Sequence, residues 1–267
     1  MASGCSSIFE IGLDMSKPPP LLHSPKRRLA RAKQHTRRLE KRIATFFKHK
    51  PARHAVETNP DGTRFHVLKF DRKIPDSWAE AGVEAIEGLR SALDQCGYAV
   101  AVRAGISEPR NAYFPFGDTV IDLDASTKGR CKDLPPEISA LFRSFDSHQG
   151  GNYTLWALNK LCNANKHRLL MPVSVASAGM TIRRGVASGN VKLGLSRFDR
   201  NKNHIVIAEV GPDGHLEYDG DFTFYVSFDD FNGVTGGPAV GMLDAIASEV
   251  DRVLRATEAE CRRIGLI

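Results

Sequence analysis

Hydrophobic residues recur at helical spacing near the start of the chain. After Ser24-Pro25, which are typical helix-start residues, the apolar positions are separated by alternating steps of three and four residues. They are Leu29, Ala32, Thr36, Leu39, Ile43 and Phe46. This spacing predicts an amphipathic helix over residues 24–50 with a narrow apolar stripe, which must pack on another surface.

Further helical patterns follow in the middle and at the end of the chain. A long one begins after Ile74-Pro75, a shorter one after Leu134-Pro135-Pro136, and a third one occupies residues 155–170. A last one begins after Gly236-Gly237-Pro238. The stretch from Gly105 to Asp133 is rich in proline and glycine and is predicted to be irregular.

Alternating patterns predict strands in two other regions. Asn59-Pro60-Asp61-Gly62 is a turn signal between two short runs that read as a β-hairpin. From about residue 170 to 230, short alternating runs are separated by glycine-containing turns, and Asp221 to Phe228 alternates almost ideally. We therefore predict an α+β fold in which helices pack with an antiparallel β-meander, with a long basic N-terminal helix and a closing C-terminal helix.

The same patterns predict the domain organisation. Residues 1–23, which contain Pro18-Pro19-Pro20, are predicted to be a disordered tail, and residues 24–50 the basic amphipathic helix. Residues 51–267 are predicted to form a single α+β domain. Its helical part is 76–168, its β-rich part is 170–230 and its C-terminal helix is 238–263.

Composition indicates an ordinary globular protein in a reducing compartment. Hydrophobic residues make up 42% of the chain and charged residues 25%. The five cysteines are scattered without a CxxC pair, which argues against a disulfide framework. No signal peptide and no run of about 20 apolar residues is present. A cytoplasmic location without a membrane partner is expected.

The positive charge is concentrated in the predicted N-terminal helix. The segment from Ser24 to Lys50 carries about +10, and because the whole chain carries +6, the rest carries about −4. The candidate ligands for RNA or DNA phosphates are Arg27, Arg28, Arg31, Arg37, Arg38, Lys41 and Arg42. The alternative is a solvated charged face on a helix that wraps the domain or forms a homodimer through the apolar stripe of helix 24–50.

A dense polar cluster ends the helical run at 155–170. Asn159, Asn163 and His167 are four residues apart and therefore share one face, and Arg168 follows directly. His167, Asn163 and Arg168 are candidate catalytic residues because histidine titrates near neutral pH. The alternative is that these residues end the helix and hydrogen-bond to its last carbonyl groups.

Two further charged residues support this candidate site. Arg90 and Asp94 lie four apart on the second helix, a spacing that is also typical of a modest surface or inter-helix ion pair. No GxGxxG, GxxxxGK[ST], HExxH or GxSxG motif is present. We therefore expect neither a cofactor nor a metal.

Three short motifs resemble those of a family of uncharacterised bacterial proteins. They are Leu89-Arg90-Ser91-Ala92-Leu93-Asp94, then Phe114-Pro115-Phe116, then a helix that ends in Asn165-Lys166-His167-Arg168. More distantly, the helices resemble the HEPN superfamily, many members of which are ribonucleases with an arginine four to six residues before a histidine. Here Leu161, Cys162 and Asn163 occupy those positions before His167, which departs from that pattern.

These observations leave alternative functions. The first is a non-catalytic nucleic-acid-associated, most simply RNA-associated, binding protein that uses the basic helix. The second, implied by the HEPN resemblance, is a metal-independent ribonuclease in which His167 transfers a proton. A structural or protein-interaction module is the third.

Overall fold

The computed structural model describes residues 20–166, 173–194, 198–228, 234 and 237–267. Along these residues the chain forms α-helices and two antiparallel β-sheets. The element order is α1 (His23–Lys48), β1 (Ala52–Thr58), β2 (Arg64–Phe70), α2 (Ser77–Arg103), α3 (Val120–Arg130), α4 (Pro136–Ser144), α5 (Tyr153–Lys166), β3 (Val173–Ser188), β4 (Val191–Leu193), β5 (His204–Val210), β6 (His215–Phe228) and α6 (Ala239–Arg263). The predicted α+β class is confirmed, with its long N-terminal and closing C-terminal helices. The predicted tail lies almost wholly outside the described residues.

The strands do not form the single meander that we predicted over residues 170–230. One antiparallel sheet has the order β1-β2-β5-β4, so the early hairpin joins strands from the later half of the chain. β3 and β6 form a separate two-stranded sheet, paired from Val173↔Phe228 to Ser188↔His215. Because β5 is already hydrogen-bonded to β2 on one edge and to β4 on the other, it has no edge left for β6.

Helix α3 lies in the stretch that we predicted to be irregular. Thr119 and Asp122 form a capping box, in which Asp122 N donates to Thr119 Oγ1 at 3.2 Å and Thr119 N donates to Asp122 Oδ2 at 3.1 Å. Leu123 is the buried residue of this helix. An isolated buried position gives little periodicity, so the capping box was the sequence signal that could have identified the helix start.

Helix α1 packs antiparallel to α2 and also contacts α6. Ser24 Oγ donates to Gln95 Oε1 near one end of the pair, and Arg42 Nη1 donates to Ser77 O near the other, at 2.8 and 3.2 Å. The predicted apolar stripe is buried along its length, with Ile43 partly covered. Contacts within one chain therefore cover that stripe. A homodimer through the stripe stays a prediction.

The apolar stripes of α2 and α6 complete the core. The apolar stripe of α2 is buried, and so are Leu243, Ile246 and Val250 of α6. The residues of the α2 stripe are Trp78, Gly82, Ala85, Leu89, Ala92, Cys96 and Val100. Glycine and alanine on α2 allow close approach of α1, since Gly88 lies against Ala32. Among the described residues, no helix is both long and apolar enough to cross a membrane.

A histidine pair on the larger sheet predicts acid sensitivity. His54 Nε2 and His66 Nδ1 are 3.1 Å apart on adjacent strands. Burial lowers the pKa of both imidazoles, and charges on His54 and Arg64 lower that of His66 further. Since an unfolded histidine titrates near 6.5, the unfolded chain binds more protons just below that pH. We expect the free energy of unfolding, measured with urea, to fall as the pH drops from about 6.5 to 5.

The control for this prediction separates the pair from the other histidines. In the double variant His54→Gln and His66→Gln, the free energy of unfolding should change less between about pH 6.5 and 5, because glutamine does not titrate. His215→Gln, at a half-exposed position on β6, should leave it unchanged. An unaltered pH dependence in the double variant would contradict the assignment.

Candidate nucleic-acid interface

The exposed side of α1 carries a row of arginines. At 100° per residue, Arg27, Arg31, Arg38 and Arg42 fall on one stripe that faces away from the buried positions, and all four side chains are exposed. We call these four residues the arginine stripe. From Arg27 to Arg42 it extends about 22 Å at 1.5 Å per residue. This length is enough to meet several successive phosphates of one strand.

The other three predicted phosphate ligands are exposed but point elsewhere. Arg28 lies on the side of α1 next to α2, where its carbonyl group approaches Gly88. Arg37 and Lys41 lie on the opposite flank of the arginine stripe. The structure therefore separates the seven cations into a stripe and two flanks, and one strand cannot contact them all.

Nearby carboxylates are directed to other partners. Lys26 Nζ lies 2.7 Å from Glu258 Oε2, and His35 Nδ1 lies 2.7 Å from Glu84 Oε2. In the part of the chain that the structure describes, none of the seven predicted ligands forms an ion pair. Glu84 still borders the helix and reduces its local positive potential. Arg42 Nη1 donates to Ser77 O, which leaves its other N–H groups for an external anion. The exposed guanidinium groups of Arg27, Arg31 and Arg38 are also available to such an anion.

The arginine stripe leads into a groove at the C-terminal end of α1. The groove has a volume of about 570 Å³ and lies between α1 and the segment that connects β2 to α2. We call it the cationic groove, and its polar lining includes Arg38, Lys41, Arg42, His49 and Arg72. Sequence reasoning missed His49, although it lies within the predicted helix 24–50, because only arginine and lysine were considered as phosphate ligands. It missed Arg72 because no local spacing connects that residue to the helix.

The floor of the cationic groove is aromatic. Phe46 and Trp78 lie edge to face, with ring centroids 5.2 Å apart, and both line the groove. The Arg72 guanidinium carbon is 5.9 Å from the centroid of the Phe46 ring. Guanidinium groups beside apolar side chains are suited to binding phosphate oxygens, because each guanidinium presents several hydrogen-bond donors in a fixed plane.

A second cluster surrounds Arg90 between α2 and α5. Arg90 is 9% exposed; its Nε donates to Asp94 Oδ2 at 3.2 Å and its Nη1 donates to Asn159 Oδ1 at 2.5 Å. The guanidinium carbon also lies 4.2 Å from the centroid of the Phe116 ring. We call Arg90, Asp94, Phe116 and Asn159 the Arg90 cluster. Arg90 and Asp94 thus form an ion pair within α2, and the hydrogen bond to Asn159 connects that pair to α5.

The Arg90 cluster joins some of the predicted catalytic residues but is poorly placed for catalysis. Asn163 is exposed, and its Nδ2 reaches Asn159 Oδ1 at 3.4 Å, so Arg90, Asp94 and Asn163 are linked through Asn159. His167 and Arg168 lie outside the described residues. The Arg90 guanidinium is held by two side chains and covered by a ring, which leaves it little freedom to meet a substrate.

A neighbouring contact fixes the loop that carries Phe116. Trp156 Nε1 donates to Asp118 Oδ1 at 3.0 Å, and Lys160 Nζ lies 2.7 Å from the same oxygen. These hydrogen bonds hold the pKa of the Asp118 carboxyl below its usual range. Sequence reasoning missed Phe116 as a partner of Arg90 and Asp118 as a partner of α5, since contacts between distant segments leave no local pattern.

Two of the three motifs that carry the sequence resemblance meet in this cluster, together with the helix that precedes the third. Arg90 and Asp94 come from the first motif, Phe116 from the second, and Asn159 from the helix that leads into the third. No protein-family model, no curated protein and no solved structure matches the chain. Both resemblances therefore remain predictions. Among the described residues, no group of three or more histidine, cysteine or acidic side chains is arranged to hold a metal ion.

Proposed function

We propose that the protein binds the phosphate backbone of nucleic acid, in particular RNA, through the arginine stripe and the cationic groove, without catalysing a reaction there. The observation that carries this proposal is the continuity of the two: Arg38 and Arg42 belong to both. Arginines that form no ion pair among the described residues can exchange their counterions for phosphates, and the released counterions favour binding.

The burial of the apolar stripe argues against a lipid ligand. An amphipathic helix that lies on a membrane inserts its apolar face among the acyl chains. In α1 that face packs on α2 and α6, so Leu29, Leu39 and Phe46 are not available to lipid. The exposed side of α1 is therefore charged, while its apolar side cannot insert into a membrane. Such a surface suits a polyanion in solution.

The ribonuclease alternative has weaker support. It needs a cation near the scissile phosphate, and the described part of the helical core offers Arg90, which Asp94, Asn159 and Phe116 already engage. Its general acid or base would be His167, outside the described residues. Phosphate binding without catalysis, in contrast, requires only the exposed cations of α1.

Salt dependence tests the proposal quantitatively. With three to five phosphates contacted, the slope of log affinity against log salt should be about −2 to −4.5 for RNA or DNA probes, with little sequence preference. Changing Arg31, Arg38 and Arg42 together to Gln should reduce the magnitude of this slope by about two to three units. Fluorescence anisotropy of a labelled oligonucleotide at increasing salt measures both values.

A matched control removes the same charge elsewhere. Arg255, Arg262 and Arg263 on α6 are each paired with a carboxylate on the same helix. Their combined change to Gln should leave the slope unaltered. An equal reduction of the salt slope in both triple variants would show a general effect of net charge. If no probe bound in a salt-dependent manner, the proposal would be refuted. Cleavage of an RNA probe during the titration would favour the ribonuclease instead.

A further inference from the structure

A second cavity lies on the other side of the last turn of α1. It has a volume of about 430 Å³ and is open to solvent between α1, the β1-β2 hairpin and β6. We call it the aromatic cavity, because Phe47, Phe222 and Phe224 line it together with Leu68. Its size falls in the range of cavities that bind small ligands, and its walls are apolar as in most such sites.

The aromatic cavity and the cationic groove flank one aromatic cluster. Phe46 lines the groove and the next residue, Phe47, lines the cavity. Trp78 contacts both rings, with centroid distances of 5.2 Å to Phe46 and 6.3 Å to Phe47. The two openings are therefore separated by little more than the last turn of a helix, whose diameter is about 10 Å with side chains.

Charged side chains of both signs lie at the opening of the cavity. Lys50, two residues after the end of α1, is exposed and lines the cavity, as does Asp221. Asp221 is already paired with Arg183, which also lies 3.1 Å from Asp219. Arg183 is thus shared by two carboxylates, and Lys50 is the exposed cation that lines the cavity beside Asp221.

We propose that the aromatic cavity accepts an unpaired base of a single-stranded RNA whose phosphates lie in the cationic groove. This inference rests on the proposed function and specifies the ligand class. Every base has a π-face that contacts aromatic side chains irrespective of its identity, so the cavity imposes little sequence preference. A base in a duplex is stacked and paired, and extracting it costs a few kcal/mol. The ligand is therefore single-stranded.

The ring of Phe222 provides a direct test. Phe222 is partly exposed in the cavity, so Phe222→Leu keeps an apolar side chain but removes the ring. We expect at least about fivefold weaker binding of a labelled single-stranded RNA 12-mer, the equivalent of one lost base contact of about 1 kcal/mol. The salt slope and the affinity for the matching duplex should stay the same, because no phosphate contact changes.

Controls separate this inference from the proposed function. Tyr98→Leu changes a half-exposed ring near the other end of α2 and should leave binding unaltered. The unmodified protein should bind the same RNA at least about fivefold more tightly than a backbone of equal length without bases, at equal salt slope. This second arm does not depend on whether Phe222→Leu folds.

The outcomes are distinct. Weaker binding of Phe222→Leu to the single strand and of the unmodified protein to the abasic backbone is the expected result. Salt-dependent binding with equal affinity for single strand, duplex and abasic backbone would overturn the base-binding cavity and leave phosphate binding standing. Absence of salt-dependent binding to every probe would overturn both.

Discussion

Replacing Arg90 with methionine is expected to lower the free energy of unfolding by about 3 kcal/mol, at the low end of the 3–5 kcal/mol typical of breaking a buried ion pair. Without the guanidinium, Asp94 keeps its charge beside an apolar core. Its Oδ1 atom is already buried and has no partner among the described residues. The Asp94 side chain is 28% exposed, so water offsets part of the loss. Urea denaturation at neutral pH measures the change.

The double variant tests the cause of this loss. Adding Asp94→Leu to Arg90→Met removes the uncompensated carboxylate, so the pair should be more stable than Arg90→Met alone. Arg90→Lys should recover only part of the stability, because an ammonium cannot reach Asp94 and Asn159 as a planar fork while it covers Phe116. A loss below about 1 kcal/mol for Arg90→Met would show that the cluster contributes little.

Local periodicity was sufficient to predict the long helices. The stripes of α1, α2 and α6 follow from the three- and four-residue spacing of apolar positions, which any single helix must satisfy to pack. Trp78, Leu89 and Val100 are all buried as that spacing requires. The same reasoning could not identify α3, where Leu123 alone is buried and the Thr119 cap carries the information.

Strand partners depended on information that alternation does not contain. The alternation of Phe222, Phe224 and Val226 identifies one face of β6 but does not specify which edge the strand joins. Antiparallel pairing of β2 with β5 brings together residues more than 130 positions apart, such as Lys69 and His204. Such contacts are decided by which edges remain unpaired in the assembled fold.

The same distinction applies to the candidate sites. The exposed cations of α1 and the spacing of Arg90 and Asp94 are local features, and the sequence indicated both. The groove and the Arg90 cluster also depend on Arg72, Phe116 and Asn159, which come from other segments. A single sequence contains no signal for these contacts, because residues that meet from distant segments have no fixed spacing along the chain.

Gly97→Ala is expected to lower the free energy of unfolding by about 2–3 kcal/mol, although alanine is the better helix former. Gly97 is buried in α2, and a Cβ atom there would lie 2.3 Å from the carbonyl oxygen of Ala112. The loop cannot easily move away. Asp133 Oδ2 accepts hydrogen bonds from Arg110 N and Asn111 N at 2.7 Å each. The clash therefore forces a backbone shift, which urea denaturation detects as lower stability.

Gly129→Ala is the matched control for this prediction. Gly129 is also helical, but a Cβ atom there would have nothing within 4 Å. The substitution should therefore raise the free energy of unfolding by about 0.5 kcal/mol, because alanine loses less backbone entropy in a helix than glycine does. If both substitutions changed stability by similar amounts in the same direction, the close approach of α2 to the Ala112 loop would not be the cause. Opposite signs would show that the contact, rather than helix propensity, decides the effect at Gly97.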